Sequence, residues 1–347
     1  MLKDIPAPSI AASTPPDYSR TYFEHCADYP FEPNANHCPL VNAWWMAEAA
    51  YAAYDQFDER GNARINLQPL RDQGWGIHAA SEEHTQFIAL ESKAALIIAF
   101  RGTRLESFAL PSLSNALVKP HSGDAQTDAN LILKNLGNGI RVHKGFWLAF
   151  APIRDRFESE VARARNHGKN VWLCGHSLGG ALAMIGGWLC QGSIRGICTV
   201  GSPRVGNAAF AEKVIRSVRA YRRIVHHRDL VSCLPPEWLP VAIDPGSAWA
   251  WLNPFRAAFD RYAHGSDASL ISGQQSSDVA DGAAASLALA DLAHDARAHF
   301  DEVMRVMRSG FDPKNPGTWP VLFDALSDHA PVYYANKLFN ACAKEKT

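Results

Sequence analysis

One serine carries the strongest chemical signal in the chain. Gly175-His176-Ser177-Leu178-Gly179-Gly180 follows the apolar run Val171-Trp172-Leu173-Cys174 and precedes a helix-like stretch from Leu178 to Cys190. A G-x-S-x-G segment between a buried strand and a helix holds its serine on a sharp turn with the hydroxyl presented for attack. So tight a turn strains the backbone, and Gly175, Gly179 and Gly180 relieve the crowding. The helix that follows aims its free N–H groups at the same point, where developing negative charge is favoured. These residues predict acyl-transfer chemistry with Ser177 as nucleophile.

A serine hydroxyl needs a base, and the base needs an orienting group. In a strand–turn–helix setting of this kind the chain order is serine, acid, histidine. Asp229 ends the strand-like run Arg223-Ile224-Val225-His226 and is the expected acid; Asp244, before Pro245, is its rival. Four histidines follow Asp229 in positions to consider: His264, His294, His299 and His329. His294 and His299 fall in an Ala-rich helical stretch and read as solvated helix positions. His264 and His329 lie in loops, which can reach a nucleophile, and the residues alone leave these two equal. For the oxyanion, Arg101-Gly102-Thr103 ends an apolar run, so Thr103 is one expected donor and the N–H of Leu178 the other. Loss of one such donor typically costs about a hundredfold or more in rate.

The elements that must position these groups alternate along the chain. Leu40 to Tyr54 has apolar residues at helical spacing. Thr85–Glu91 and Ala94–Phe100 read as a strand pair, the second continuously apolar as in a strand buried on both faces. His143–Arg165 reads as one long amphipathic helix, followed by strands at Val171–Cys174, Ile197–Val200 and Tyr221–His226 with helices at Leu178–Cys190 and Phe210–Val218. This order predicts an α/β protein with a mostly parallel central sheet flanked by helices. Residues 1–20, rich in Pro, Ser and Ala, read as a mobile arm, and residues 21–347 as a single domain. Residues 104–126 have no clean period, and the stretch from about 244 to 312, with Trp249, Trp251 and an Ala-rich run, reads as a helical insertion.

Composition narrows the class. Lys and Arg total 34 against 35 Asp and Glu, so no basic stripe marks a nucleic-acid footprint. Hydrophobic residues at 47% suit a chain with a substantial core, and most of the ten Trp read as core filling. No apolar run is long enough to span a bilayer, and the N-terminus lacks the apolar segment of a secretory signal. The cytoplasm is therefore the default compartment, with export by a signal-peptide-independent route as the alternative. Of the seven cysteines, Cys174, Cys190 and Cys198 read as buried thiols, and Cys26 and Cys38 could bridge in an oxidising compartment. No metal site, phosphate loop or dinucleotide fingerprint stands out, so no cofactor is expected, and no protein partner is evident. His226 and His227 are adjacent on a strand and face opposite sides.

Several ordered segments resemble the fungal-type, class-three lipases of the α/β-hydrolase superfamily. Ala99-Phe100-Arg101-Gly102-Thr103 is similar to the family's oxyanion strand, and Val142-His143-Lys144-Gly145-Phe146 to its His-x-Gly-Phe segment. Gly175–Gly180 resembles its nucleophile elbow, and Val200 through Asn207 its Gly-Ser-Pro-Arg-Val-Gly-Asn signature. Asp229 with Leu234-Pro235-Pro236, Tyr262-Ala263-His264, and Asp328-His329 with Tyr333 resemble its later segments. The resemblance, over roughly residues 40 to 340, implies an α/β-hydrolase fold and a triad of Ser177, Asp229 and His329, with Thr103 and Leu178 at the oxyanion. It thereby separates His329 from His264. It implies that residues 104–126 form a lid, with Leu105, Phe108, Leu110 and Leu113 as its apolar face. It implies hydrolysis of triacylglycerol or a similar acyl ester at an oil–water or membrane surface. A phospholipase acting on membranes and a lipase-like binding protein without turnover are the rival readings.

Overall fold

Runs of apolar residues that hydrogen-bond side by side set the architecture. The computed structural model of the protein describes residues 2–58, 60–103, 132–235, 241–244, 259–265, 268–273, 277–282, 285 and 327–346. The main sheet has eight strands: β1 (Gly76–Glu82), β2 (Thr85–Glu91), β3 (Ala95–Phe100), β6 (Asn170–His176), β7 (Ile194–Val200), β8 (Ala220–His226), β11 (Ser269–Ile271) and β12 (Val279–Ala280), side by side in that order. The strands from β3 through β11 run parallel, and antiparallel β1, β2 and β12 complete the two sides. A smaller sheet holds β4 (Leu133–Asn135), β5 (Arg141–His143), β9 (Val241–Asp244) and β10 (Phe259–Asp260). The longer helices are α1 (Leu40–Ala52), α2 (Lys144–Phe150), α3 (Arg154–Asn166), α4 (Leu178–Leu189), α5 (Ala208–Arg216) and α6 (Pro331–Glu345). The chain thus has the α/β-hydrolase fold, with a mostly parallel sheet flanked by helices.

Side-chain alternation along the strands divides the core into two layers. On β3, Ala95, Ile97 and Ala99 pack with Trp44, Trp45 and Phe339 of α1 and α6. Leu96, Ile98 and Phe100 pack on the other face with Phe150, Phe157 and Ile185 of α2, α3 and α4. Trp172 and Leu173 of β6 make the same division, and every β3 side chain is buried, as a strand covered on both faces should be. Trp44, Trp45 and Trp172 fill core space.

Several expectations are corrected. The long helix over 143–165 is broken: α2 ends at Phe150, a single tight turn over Ala151–Ile153 contains Pro152, and α3 begins at Arg154. Proline lacks the N–H an unbroken helix would use. His143 lies outside α2 as its cap, its Nδ1 accepting from the Phe146 N–H at 3.1 Å. The 1–20 segment, expected as a mobile arm, lies against α6 and α1. Lys3 N–H donates to Asn340 Oδ1 at 2.7 Å, Asn336 donates to Asp4 O at 2.8 Å, and Arg20 pairs with buried Glu48 at 2.8 Å. The stretch from 244 to 312, expected as a helical insertion, also contributes short strands among its described residues, while Gly282 and Ala285 are helical. β11 extends the main sheet parallel to β8, because Leu270 and Ile271 bury themselves beside Val225 and His226. The Ala-rich run with His294 and His299, Trp249, Trp251 and the proposed lid over 104–126 lie outside the described residues. Cys26 and Cys38 are free thiols, and burial pushes the Cys26 thiol up to about 11.

Candidate active site

The parallel strands deliver their next residues to one edge of the sheet, where ligands of open α/β sheets bind. β3 ends at Phe100 and leads to Gly102-Thr103, β6 leads to Ser177, β7 to Gly201, and β8 to Asp229. Ser177 occupies the turn between β6 and α4 with φ 57 and ψ −128, a strained conformation for a residue with a side chain. Its N–H donates to Val200 O at 3.0 Å, which ties the turn to β7. The glycine at 179 is required by distance. A Cβ there would lie 2.1 Å from Phe100 O, so only a bare backbone lets the first turn of α4 reach the end of β3. That approach brings the N-terminus of α4, with Leu178, beside the Gly102-Thr103 turn.

Asp229 follows β8 and is fully buried. Its Oδ2 accepts from His329 Nδ1–H at 2.8 Å and from the Tyr334 hydroxyl at 2.5 Å, while Oδ1 accepts from the Val231 N–H at 2.9 Å. Burial alone would raise this carboxyl. Burial is the largest influence, but the electrostatic interaction with His329 and the side-chain hydrogen bonds from His329 and Tyr334 together outweigh it and hold the carboxyl below the usual carboxylate range. With Nδ1 on Asp229, the other ring nitrogen of His329, Nε2, is left for a further partner. That atom is buried and makes no hydrogen bond among the described residues, so the Ser177 hydroxyl does not reach it in this state. Catalytic hydrogen bonds of this sort are often long in unliganded enzymes and tighten with substrate.

The remaining expected residues separate. Asp244 lies on β9 of the small sheet, its backbone opposite Lys134, and the carboxylate on His329 is that of Asp229. His264 is half-buried against the loop that follows Asp229, its Nε2–H donating to Ser232 O at 2.9 Å. Burial, then Arg223 and Arg204, hold it well below the ordinary histidine value, so it is neutral and supports that loop. Thr103 and Leu178 are part-exposed at the sheet edge.

Sequence reasoning missed the groups around this pair. Gly201 has φ +55, and a Cβ on it would lie 2.7 Å from Asp229 Oδ2, 3.0 Å from Tyr334 Oη and 3.1 Å from His329 Cε1. The Asp–His pair is thus packed on the bare backbone of Gly201. Arg204 binds the acid loop, with its N–H on Leu234 O at 2.6 Å and its guanidinium on the carbonyls of Cys233 and Pro235. Tyr334 had no signal beyond its place five residues after His329 on an amphipathic helix.

Residues 97–238 match the family described as Lipase (class 3). A lipase of Rhizomucor miehei is 34% identical over 108 residues, 28% of this chain and 30% of that protein. A secreted mono- and diacylglycerol lipase of Malassezia restricta is 29% identical over 238 residues, 66% of this chain and 73% of that protein. A toxin of Vibrio cholerae is 31% identical over 123 residues, 34% of this chain and 19% of that protein. The chain spans under a third of the Rhizomucor miehei and Rhizopus lipases it matches, at 30% and 28% of their lengths. These relatives correct the cytoplasmic expectation. The Malassezia protein and a Fusarium solani relative are both secreted lipases, which points outside the cell. An N-terminal stretch without an apolar segment does not decide a compartment. Among the described residues no helix is long and apolar enough to cross a membrane.

Proposed function

We propose that this chain, which belongs to the class 3 lipase family of α/β-hydrolases, hydrolyses acyl esters of lipids through Ser177, His329 and Asp229. The observation that carries the proposal is the buried Asp229–His329 contact of 2.8 Å at the sheet edge where Ser177 sits in its strained turn. In this reading Ser177 Oγ attacks the ester carbonyl carbon while His329 Nε2 takes its proton. Asp229, accepting from Nδ1–H, fixes the tautomer that leaves Nε2 free and steadies the imidazolium that forms. The Leu178 N–H, on the first turn of α4, and Thr103 receive the oxyanion. His329 then returns the proton to the departing alcohol, leaving an acyl-Ser177 ester. Water, deprotonated by His329, attacks that ester and releases the carboxylic acid. Triacylglycerol or a related glyceride is the first substrate to test, as the names of the relatives suggest.

The test is turnover of matched short- and long-chain p-nitrophenyl esters by the wild type and Ser177→Ala. The expected outcome is a loss of several orders of magnitude in kcat with the variant still folded. Fatty-acid release from glyceride emulsions against phospholipid vesicles then separates a glyceride lipase from a membrane phospholipase. Absence of wild-type turnover on all of these, with no labelling of Ser177 by a phosphonate, would leave a lipase-like binding protein.

A further inference from the structure

His329 is carried on a loop, yet its main chain is held from both sides. The carbonyl of Asp328, before it, lies 2.7 Å from Nδ1 of His226. The carbonyl of His329 itself lies 2.6 Å from Nε2 of His176. A carbonyl can only accept, so each imidazole must present an N–H there. The opposite ring nitrogen of each is then an acceptor and needs a donor. Tyr54 Oη stands 2.7 Å from His176 Nδ1, and Lys337 Nζ stands 2.6 Å from His226 Nε2. Lys337 also donates to Gly273 O, at the end of β11. All four side chains are buried: Tyr54 and Lys337 are 1% and 0% exposed, His176 and His226 2% and 1%.

We propose that His176 and His226 are positioning residues that clamp the two carbonyls flanking the His329 Cα, each locked in one neutral tautomer by a donor behind it, Tyr54 or Lys337. The inference rests on the proposed role of His329 as base. Each clamp runs from a rigid element. His176 ends β6, His226 ends β8, and Lys337 projects from α6, the same helix that brings Tyr334 to Asp229. The lysine has a specific effect on His226. An imidazolium would turn a second N–H toward the ammonium, so the pair favours neutral imidazole with its proton on Nδ1. Burial, then Lys337, holds His226 down to about 3, and burial holds His176 well below the ordinary value. The clamp therefore persists in one protonation state while His329 cycles. Its purpose is directional: Nε2 of His329 must meet both the Ser177 hydroxyl and the leaving oxygen, and an error of 1 Å in such a group can cost about a hundredfold in rate.

Lys337→Met tests this, because the thioether fills the lysine's space without a donor; Lys337→Gln keeps an N–H. Tyr54 is a poorer first target, since its hydroxyl also packs on Gly102 beside the proposed oxyanion site. Active sites are titrated with a p-nitrophenyl phosphonate, and kcat and KM for a soluble short-chain p-nitrophenyl ester are expressed per titrated site. The expected result for Lys337→Met is a kcat lowered about tenfold with KM unchanged. The downfield proton resonance of His329 Nδ1–H should shift or broaden, and Lys337→Gln should recover part of kcat. A wild-type kcat per titrated site and an unmoved resonance in Lys337→Met would overturn the clamp, whatever happens to thermal stability. Retained turnover in Ser177→Ala would instead refute the functional reading itself. Ser177-dependent turnover that is indifferent to Lys337 would refute only the clamp.

Discussion

Replacing Gly201 by alanine tests how closely the Asp–His pair is packed on the turn after β7. Two costs follow from the structure. The first is conformational: with φ +55, any L side chain at 201 sits in the left-handed region, which costs about 1–2 kcal/mol. The second is local to the site. The new Cβ would stand 2.7 Å from Asp229 Oδ2, whereas ordinary contact begins at 3.4 Å, so carboxylate or backbone must yield by about 0.7 Å. Neither neighbour moves freely. The carboxylate is held by His329, Tyr334 and the Val231 N–H, and Gly201 N–H is bound to Ile224 O at 3.0 Å. A displacement of that size in the group that orients His329 predicts a kcat reduced between about tenfold and a hundredfold. Gly192→Ala is the control. Gly192 has φ +74 and nothing within 4 Å of its would-be Cβ, so it carries the conformational cost alone. Thermal denaturation and kcat per phosphonate-titrated site should show both variants destabilised, Gly201→Ala by more because it adds the clash, and only Gly201→Ala losing turnover. Equal kcat in the two variants would refute the packing argument, leaving Gly201 as a turn residue and nothing more.

Two further outcomes follow from the charges. Tyr334→Phe removes the 2.5 Å donor to Asp229, so the depressed Asp229 carboxyl should move back toward its ordinary value. The stability that a depressed carboxylate lends is present above its unfolded value and lost as pH falls through the folded one. Acid unfolding followed by near-UV circular dichroism should therefore begin at higher pH in Tyr334→Phe, and an unchanged acid midpoint would contradict the assigned hydrogen bond. His143 is held down to about 4 by burial, where it caps α2 as a neutral acceptor. The unfolded chain takes up this proton near pH 6.5 and the folded chain near 4, so stability falls as pH drops through that window, by up to about 3 kcal/mol. His143→Asn keeps the cap without the titration, and urea titrations at pH 7 and pH 4.5 should show a smaller pH dependence than in the wild type.

What could be read in the sequence was what is local. Ala95–Phe100 is apolar at every position, and it is a strand covered on both faces. Gly175–Gly180 is a six-residue signal whose geometry is set by its own neighbours, and the turn it predicts is present, with Ser177 at φ 57. Boundaries failed where one residue overrode a period: the amphipathic pattern across 143–165 continues through Pro152, but the hydrogen-bond ladder does not. The strand β11 within the 244–312 stretch was missed for the opposite reason. Ser269–Ile271 is three residues long, too short to show a period, and is a strand only because β8 offers it an open edge.

The polar shell around His329 was illegible for a deeper reason. Its members are separated by great lengths of chain: His226 reaches Asp328 across 102 residues, His176 reaches His329 across 153, and Tyr54 reaches His176 across 122. Each residue alone has an ordinary local explanation. Tyr54 closes a helical pattern, His226 ends a strand, and Lys337 is one polar residue on the C-terminal helix. Lys337 is the informative one. A lysine on the buried side of a helix must find an acceptor or lose its charge, and the acceptors it finds lie far from it in sequence. Only the sheet order, which sets β8 beside β11 and lays α6 across them, brings His226 and the Gly273 carbonyl to it. The nucleophile could be found from six consecutive residues because its strain is local, whereas the groups that aim its base are fixed by topology, and topology is the part that no short window of sequence contains.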